Sequence, residues 1–220
     1  RSTLFPYTTL FRSPYSFLAL MQPLVGALIR TGVKPNTITT FGTLLVLVSA
    51  LFYGTGWIRL GGLFLLLSGI TDTIDGQVAR GGAMVTRFGA FYDSTLDRIG
   101  DGATFIGIGA YLLWAPGVAY REAGVIMCML AVLFSLVVSY ARARAEGLGL
   151  DCKVGIAQRA ERIVLLGVPT LFWGAGPRAL MLEIIVVVLT VLAFVTVIQR
   201  VVHVRGAANA ADVATARDRE

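Results

Sequence analysis

Charge is scarce in this chain, and its positive part is nearly all arginine. Only 15% of the 220 residues are charged, lysine occurs only at Lys34 and Lys153, and histidine occurs once. A soluble domain carries nearer a quarter charged residues. With 56% hydrophobic residues and a mean hydropathy of +0.76, the deficit excludes an ordinary soluble fold. Cysteine is equally scarce. Cys128 lies in an apolar run and Cys152 in a polar loop, and no metal-type spacing joins them, which excludes a disulfide framework and a thiolate metal centre. An initiator methionine is lacking, and residues 1–13 show neither helical period nor signal-peptide layout. That segment reads as a non-native, adapter-like addition. The basic excess, 19 Lys and Arg against 13 Asp and Glu, points in such a chain to lipid headgroups and topology before nucleic acid.

What is present is a series of apolar runs. Residues 14–30 place Phe17, Leu18, Met21, Leu24, Val25 and Leu28 at helical spacing, which predicts an amphipathic helix along the membrane interface. Gly32 ends it, and Asn36 or Thr37 can cap the next helix. The uncharged run 35–58 is long enough to cross a bilayer of about 30 Å. Arg59 and two glycines form a loop, and a second span starts near Leu60 and runs into a cluster of acids. Gly81 and Gly82 make a turn. Further spans are expected from Arg87 toward Tyr120, over 123–141, 163–176 and 179–199. The prediction is an all-α polytopic membrane protein of about six transmembrane helices plus the interfacial one. It has one domain over 14–205 and a charged, Ala-rich, flexible tail over 206–220. Loops one, three and five carry Arg59, Arg121 and Arg178, whereas the even loops and the end carry nine basic residues. That bias predicts both termini and the acidic cluster on the cytoplasmic side of the cell membrane.

The stretch Asp72-Thr73-Ile74-Asp75-Gly76-Gln77-Val78-Ala79-Arg80, continued by Gly89, Asp93 and Asp97, organises the rest. A carboxylate deep in a membrane helix costs roughly 2.5–3.5 kcal/mol, so four together call for a function. Asp72 and Asp75 share a helix face, as do Gly89, Asp93 and Asp97, and Gly76 with Arg80. The small residues leave room for a ligand, and facing stripes gather four acids in one pocket. Like charges need counterions there. Oxygen donors without histidine or thiolate favour Mg²⁺ or Mn²⁺ over zinc. Two such ions suit a pyrophosphate, with Arg80 on a phosphate.

The pattern D-x-x-D-G-x-x-A-R-(x)8-G-x-x-x-D-x-x-x-D, complete from Asp72 to Asp97, resembles the signature of the CDP-alcohol phosphotransferases, six-helix membrane enzymes of phospholipid synthesis. The resemblance implies that Asp72, Asp75 and Asp93 bind a metal pair. It also implies that Asp97 shares a metal and acts as general base on the acceptor hydroxyl. Gly76, Ala79, Arg80 and Gly89 would lie against the cytidine diphosphate, with Asn36 and Thr39 near it. The implied reaction is attack by an alcohol on the β-phosphorus of a CDP-lipid, of diacylglycerol or archaeol type, releasing CMP. The lipid chains would lie in apolar grooves between spans, and the enzyme would be a homodimer. Residues 139–146, 155–162 and 197–202 resemble the branch that uses inositol phosphate, in which Arg142, Arg159 and Arg200 form the pocket for the acceptor's phosphate. Three arginines suit a phosphorylated acceptor, and glycerol 3-phosphate meets that argument equally well.

Plainer readings stand beside these. Positive-inside bias accounts for arginines such as Arg144, and for Lys153, without any site. Arg98 and Asp101 read as a structural ion pair, Glu146, Glu161 and Arg162 as bundle salt bridges, and His203 as interfacial. Tyr53, Trp57, Trp114, Tyr120 and Trp173 fit an aromatic belt, and Gly61, Gly62, Gly107 and Gly109 fit helix packing. The rival function is a cation or proton transporter, since intramembrane acids also mark ion paths. A transporter has no need of Gly76, Ala79, Arg80 and Gly89 at set distances.

Overall fold

The computed structural model describes residues 14–156 and 158–217, which are helical with no strand among them. Residues 1–13, read above as non-native, lie outside the described residues. The helices are α1 Pro14–Arg30, α2 Pro35–Gly54, α3 Ile58–Gly81, α4 Arg87–Trp114, α5 Arg121–Glu146, α6 Arg159–Trp173 and α7 Leu180–Arg217, with a short 3-10 turn at Pro177–Ala179.

Local chemistry sets these boundaries, and several depart from the sequence expectation. The break after α1 falls at Gly32, whose φ of +72 favours glycine. Neither Asn36 nor Thr37 caps α2. Pro35 opens it instead, because its missing N–H is no loss in a first turn, and Lys34 stands at the cap position. The chain then reverses at 55–57, so Arg59, Gly61 and Gly62 lie inside α3 and not in a loop. Helix α4 stops at Trp114, short of Tyr120. Ala115 precedes Pro116, and the residue before a proline is driven out of the helical region. Residues 206–217, where the sequence predicts a tail, continue α7.

Helix α2 packs on α3 and α4, α3 also on α6, and α5 on α4 and α7. Small residues permit the closest approaches. A Cβ on Gly62 would meet Leu171 N at 2.7 Å and Gly167 O at 2.8 Å, so α3 and α6 touch backbone to backbone. Tyr53 is fully buried, its hydroxyl 2.8 Å from Thr170 Oγ1. It is a core residue and not part of a belt, whereas Trp57, Trp114, Tyr120 and Trp173 are exposed. Gly62→Ala should therefore lower the unfolding temperature in detergent, by the roughly 1–3 kcal/mol typical of overpacking. Gly102→Ala, where a Cβ meets nothing within 4 Å, should leave it unchanged or raise it. Equal behaviour of the two variants would refute the packing argument.

The bundle has an apolar core with hydroxyl side chains set into it, and its outer surface is apolar as well. Ser49, Ser68, Thr104, Ser135 and Thr170 are buried between helices, while Leu51, Ile106, Met129 and Val202 face outward. This is the surface of a membrane protein. Three segments, Pro35–Gly54, Arg121–Glu146 and Pro177–Asn209, are long and apolar enough to cross a bilayer by hydropathy alone. Helices α3 and α4 carry the acidic stretch and α6 has 15 residues, so hydropathy supports three of the six expected crossings.

Candidate active site

The starts of α2, α4 and α6 meet the last turns of α3 at one end of the bundle. Helix α3 is held there by its apolar side. Ile74 and Val78 are buried with Ile38 and Val25, and Leu28 and Ile29 of α1 pack against that cluster. The carboxylates between them turn toward α2, α4 and α6. Asp75 is 7% exposed and accepts a hydrogen bond of 2.7 Å from Thr39 Oγ1, which also lies 3.1 Å from Pro35 O. Asp72 lies beside Gly42 of α2, where a Cβ would stand 3.4 Å from its Oδ1.

Helix α4 brings the other stripe. Thr86 caps it by accepting from Gly89 N at 2.9 Å, and Asp93, Asp97 and Asp101 follow at four-residue intervals. Arg159, the first residue of α6, joins the two stripes. Its Nη1 contacts both Asp72 Oδ2 and Asp97 Oδ1, and its Nε is 3.6 Å from Asp101 Oδ1. A cation at a helix N-terminus opposes the helix dipole, so these carboxylates are what hold it there. Arg162, one turn on, donates from Nη2 to Asp101 Oδ2 at 2.7 Å. The charge of Asp93 acts on Asp72, Asp75 and Asp97, and Arg98 acts on Asp93. Carboxylates outnumber guanidinium groups, and the donor set is oxygen alone, which is the chemistry of a hard-cation site. With Arg159 among them, however, no three acidic, histidine or cysteine side chains of the described residues are spaced to hold an ion.

The small residues line the same end. The guanidinium of Arg80 lies over Gly76, with Nη1 3.3 Å from where a Cβ would stand. A Cβ on Gly89 would come 3.2 Å from Asn36 Oδ1, so Asn36 and Gly89 face each other across α2 and α4. Ala79 ends the stripe, its carbonyl accepting from Met84 N. Beside this cleft runs a groove of about 590 Å³. Asn36, Thr37, Thr40 and Tyr92 form its polar part and Phe41, Leu44 and Phe88 its apolar part. Thr40 Oγ1 and Tyr92 OH are hydrogen-bonded at 2.9 Å, and the Phe88 and Tyr92 rings stack at 5.7 Å.

The three arginines expected to share one phosphate are deployed differently. Arg142 is exposed and pairs with Glu146 at 2.8 Å. Arg200 is 5% exposed and donates to the Val138 and Val154 carbonyls, pinning the loop after α5. The charges of Arg142 and Arg162 both act on Arg200, while of Arg142, Arg159 and Arg200 only Arg159 contacts the motif carboxylates. Arg98 does not pair with Asp101 in the manner its position suggests, because Arg159 and Arg162 take that carboxylate. Cys152 is fully buried and not in an open loop. Asp101 is the residue that motif reading passes over, although its four-residue step from Asp97 was the signal.

A family model described as CDP-alcohol phosphatidyltransferase matches residues 33–199. Phosphatidylinositol phosphate synthase of Mycobacteroides abscessus is 36% identical, over 90% of this chain and 89% of its own length. Archaetidylinositol phosphate synthase of Methanothermobacter thermautotrophicus is 38% identical, over 80% of this chain and 85% of its own. Two crystal structures of Mycobacterium tuberculosis phosphatidylinositol phosphate synthase share the fold. The one with CDP-DAG bound has a TM-score of 0.74 at 31% identity, covering 84% of this chain and 94% of that one. The one in complex with manganese and citrate has a TM-score of 0.72 at 32% identity, covering 83% and 87%. With its full acidic motif gathered at one end of a helical membrane bundle and the family model spanning 33–199, the chain belongs to the CDP-alcohol phosphatidyltransferase family.

Proposed function

We propose that this enzyme transfers the lipid-phosphate group of a CDP-lipid to inositol 1-phosphate, releasing CMP, on the cytoplasmic face of the cell membrane. The observation that carries the reading is Arg159, a guanidinium set directly against the motif carboxylates Asp72 and Asp97. A phosphorylated acceptor bound by Arg159 brings its hydroxyl beside Asp97. Names of the relatives, which specify inositol phosphate acceptors, support the same choice.

In this reading the donor lies along the groove beside α2 and α4. Its lipid chains rest on Phe41, Leu44 and Phe88, and its CDP head reaches Asn36, Gly76, Ala79, Arg80 and Gly89. With Arg159 withdrawn from the acids, Asp72, Asp75, Asp93 and Asp97 would hold Mg²⁺ or Mn²⁺, two ions in the full site, and these would supply charge neutralisation for the pyrophosphate and the departing CMP. Thr39 fixes the orientation of Asp75 through its hydrogen bond. Nη1 of Arg159 turns from the acids to the acceptor phosphate, and Arg142 and Arg200 supply the basic wall behind it. Asp97 takes the proton of the acceptor hydroxyl, whose oxygen then bonds to the β-phosphorus as the bond to CMP breaks.

An acceptor screen on detergent-solubilised protein with CDP-diacylglycerol and Mn²⁺ checks this, read as CMP release. Inositol 1-phosphate should be preferred and free inositol poor, since free inositol offers Arg159 nothing anionic. Equal use of inositol and its phosphate would overturn the basic-pocket reading. Preference for glycerol 3-phosphate would keep the pocket and make the enzyme a phosphatidylglycerophosphate synthase. The transporter alternative has no support left, because the family to which the chain belongs is one of transferases.

A further inference from the structure

Asp101 stands outside the motif, yet it is tied to the site more closely than some motif residues. Its side chain is 14% exposed and each oxygen meets a different guanidinium: Oδ2 takes Nη2 of Arg162 at 2.7 Å, and Oδ1 faces Nε of Arg159 at 3.6 Å. The second distance is that of an ion pair and not of a hydrogen bond. Arg162 is 7% exposed, and its Nε and Nη1 have no hydrogen-bond partner. Arg159 Nε is likewise buried without one. Arg162 therefore has Asp101 as its carboxylate partner, and Arg159 shares Asp101 with Asp72 and Asp97. A buried charge whose single partner is removed is strongly disfavoured, so Asp101 fixes where Arg162 can sit and holds the Nε side of Arg159.

We propose that Asp101 is a positioning residue for the acceptor site: it anchors Arg159 at Nε, so that Nη1 and Nη2 are presented to the acceptor phosphate from a fixed pivot. The inference rests on the reading of Arg159 as the acceptor contact. Asp93, Asp97 and Asp101 divide one helix face between them. Asp97 meets Arg159 at Nη1, the nitrogen that also contacts Asp72 of α3, whereas Asp101 meets Arg159 at Nε and also Arg162. An ion pair on the Nε side restrains the guanidinium from that side while the terminal nitrogens change partners. Arg162, held by the other oxygen, keeps the carboxylate itself from rotating.

The test uses the full chain in detergent with CDP-diacylglycerol and Mn²⁺, and measures separate Michaelis constants for donor and acceptor. Asp101→Asn should raise the acceptor KM by about tenfold or more, as expected for a lost contact to a charged group. The donor KM and kcat should stay within about twofold. Mn²⁺ binding by the protein alone, followed by electron paramagnetic resonance, should be unchanged, and Asp101→Glu should recover much of the acceptor affinity. A wild-type acceptor KM in Asp101→Asn overturns the proposal. So does a parallel loss of donor and Mn²⁺ binding, which would make Asp101 part of the metal shell. If Asp101→Asn does not yield folded protein, the double variant Asp101→Asn, Arg162→Met removes the orphaned second cation and must show the same selective rise. An unchanged acceptor KM in that variant would equally overturn it. Measuring with both inositol 1-phosphate and glycerol 3-phosphate separates this outcome from an error in the acceptor. The wild-type preference reports on the acceptor, and the effect of the variant on whichever is used reports on Asp101.

Discussion

Asp97→Asn is expected to lower turnover by about 10²–10⁴-fold, the usual loss on removing a general base. The amide keeps the shape of the side chain but cannot take the acceptor proton. Asp97 is suited to that task by position. It lies on the α4 stripe one turn after Asp93 and one turn before Asp101, and like Asp101 it contacts Arg159. Its Oδ1 shares Nη1 of Arg159 with Asp72, so an acceptor phosphate drawn to Arg159 sets its hydroxyl near this carboxylate. The variant should still bind CDP-lipid, measured with the radiolabelled donor in detergent, and should still insert in the membrane. If Asp97→Asn binds no nucleotide, Asp97 is chiefly a metal ligand and its role as base is wrong.

Removal of divalent cations should have the larger effect, a fall of activity to background in excess chelator with return on adding Mg²⁺ or Mn²⁺. Five aspartates crowd one end of the bundle, and Arg80, Arg98, Arg159 and Arg162 do not balance them. A pyrophosphate entering that field brings further negative charge, and its approach is unfavourable without a cation to offset the repulsion. Asp93→Asn should reproduce the loss permanently, because Asp93 is one of the four carboxylates proposed to hold the cations. Normal expression and membrane insertion of Asp93→Asn would show that the defect lies in the site and not in folding. Full turnover in excess chelator would end the metal hypothesis.

Much of this protein could be read along the chain because its strongest signals are local. An apolar run long enough to span a bilayer, a proline at a helix start and a glycine at a break all act within a turn or two. The motif is of the same kind. The spacing of Asp72, Asp75, Gly76, Ala79 and Arg80 puts them near one another on a single helix, and that of Gly89, Asp93 and Asp97 does so on the next. That the two stripes face one another followed from the short turn between α3 and α4, and the contacts through Arg159 agree with it.

Partners distant in sequence were decided by packing alone. Tyr53 has the composition and place of a belt residue, but α6 offers it Thr170, 117 residues away, and the approach of Gly62 to Gly167 makes that depth possible. Thr39 holds Asp75, a partner that its place in the sequence does not announce. Arg142, Arg159 and Arg200 are equivalent as letters, all basic and each expected at the end of a span. Only the assembled bundle distinguishes them. Arg142 has an acid one turn away on its own helix, Arg200 meets two bare carbonyls, and Arg159 meets carboxylates of two other helices. Sequence determined where charge could be tolerated in this membrane protein, because the bilayer penalises each residue separately. The fold decided which charges neutralise each other, because an ion pair depends on the distance between side chains, and for residues more than 60 positions apart that distance exists only once α3, α4 and α6 have packed.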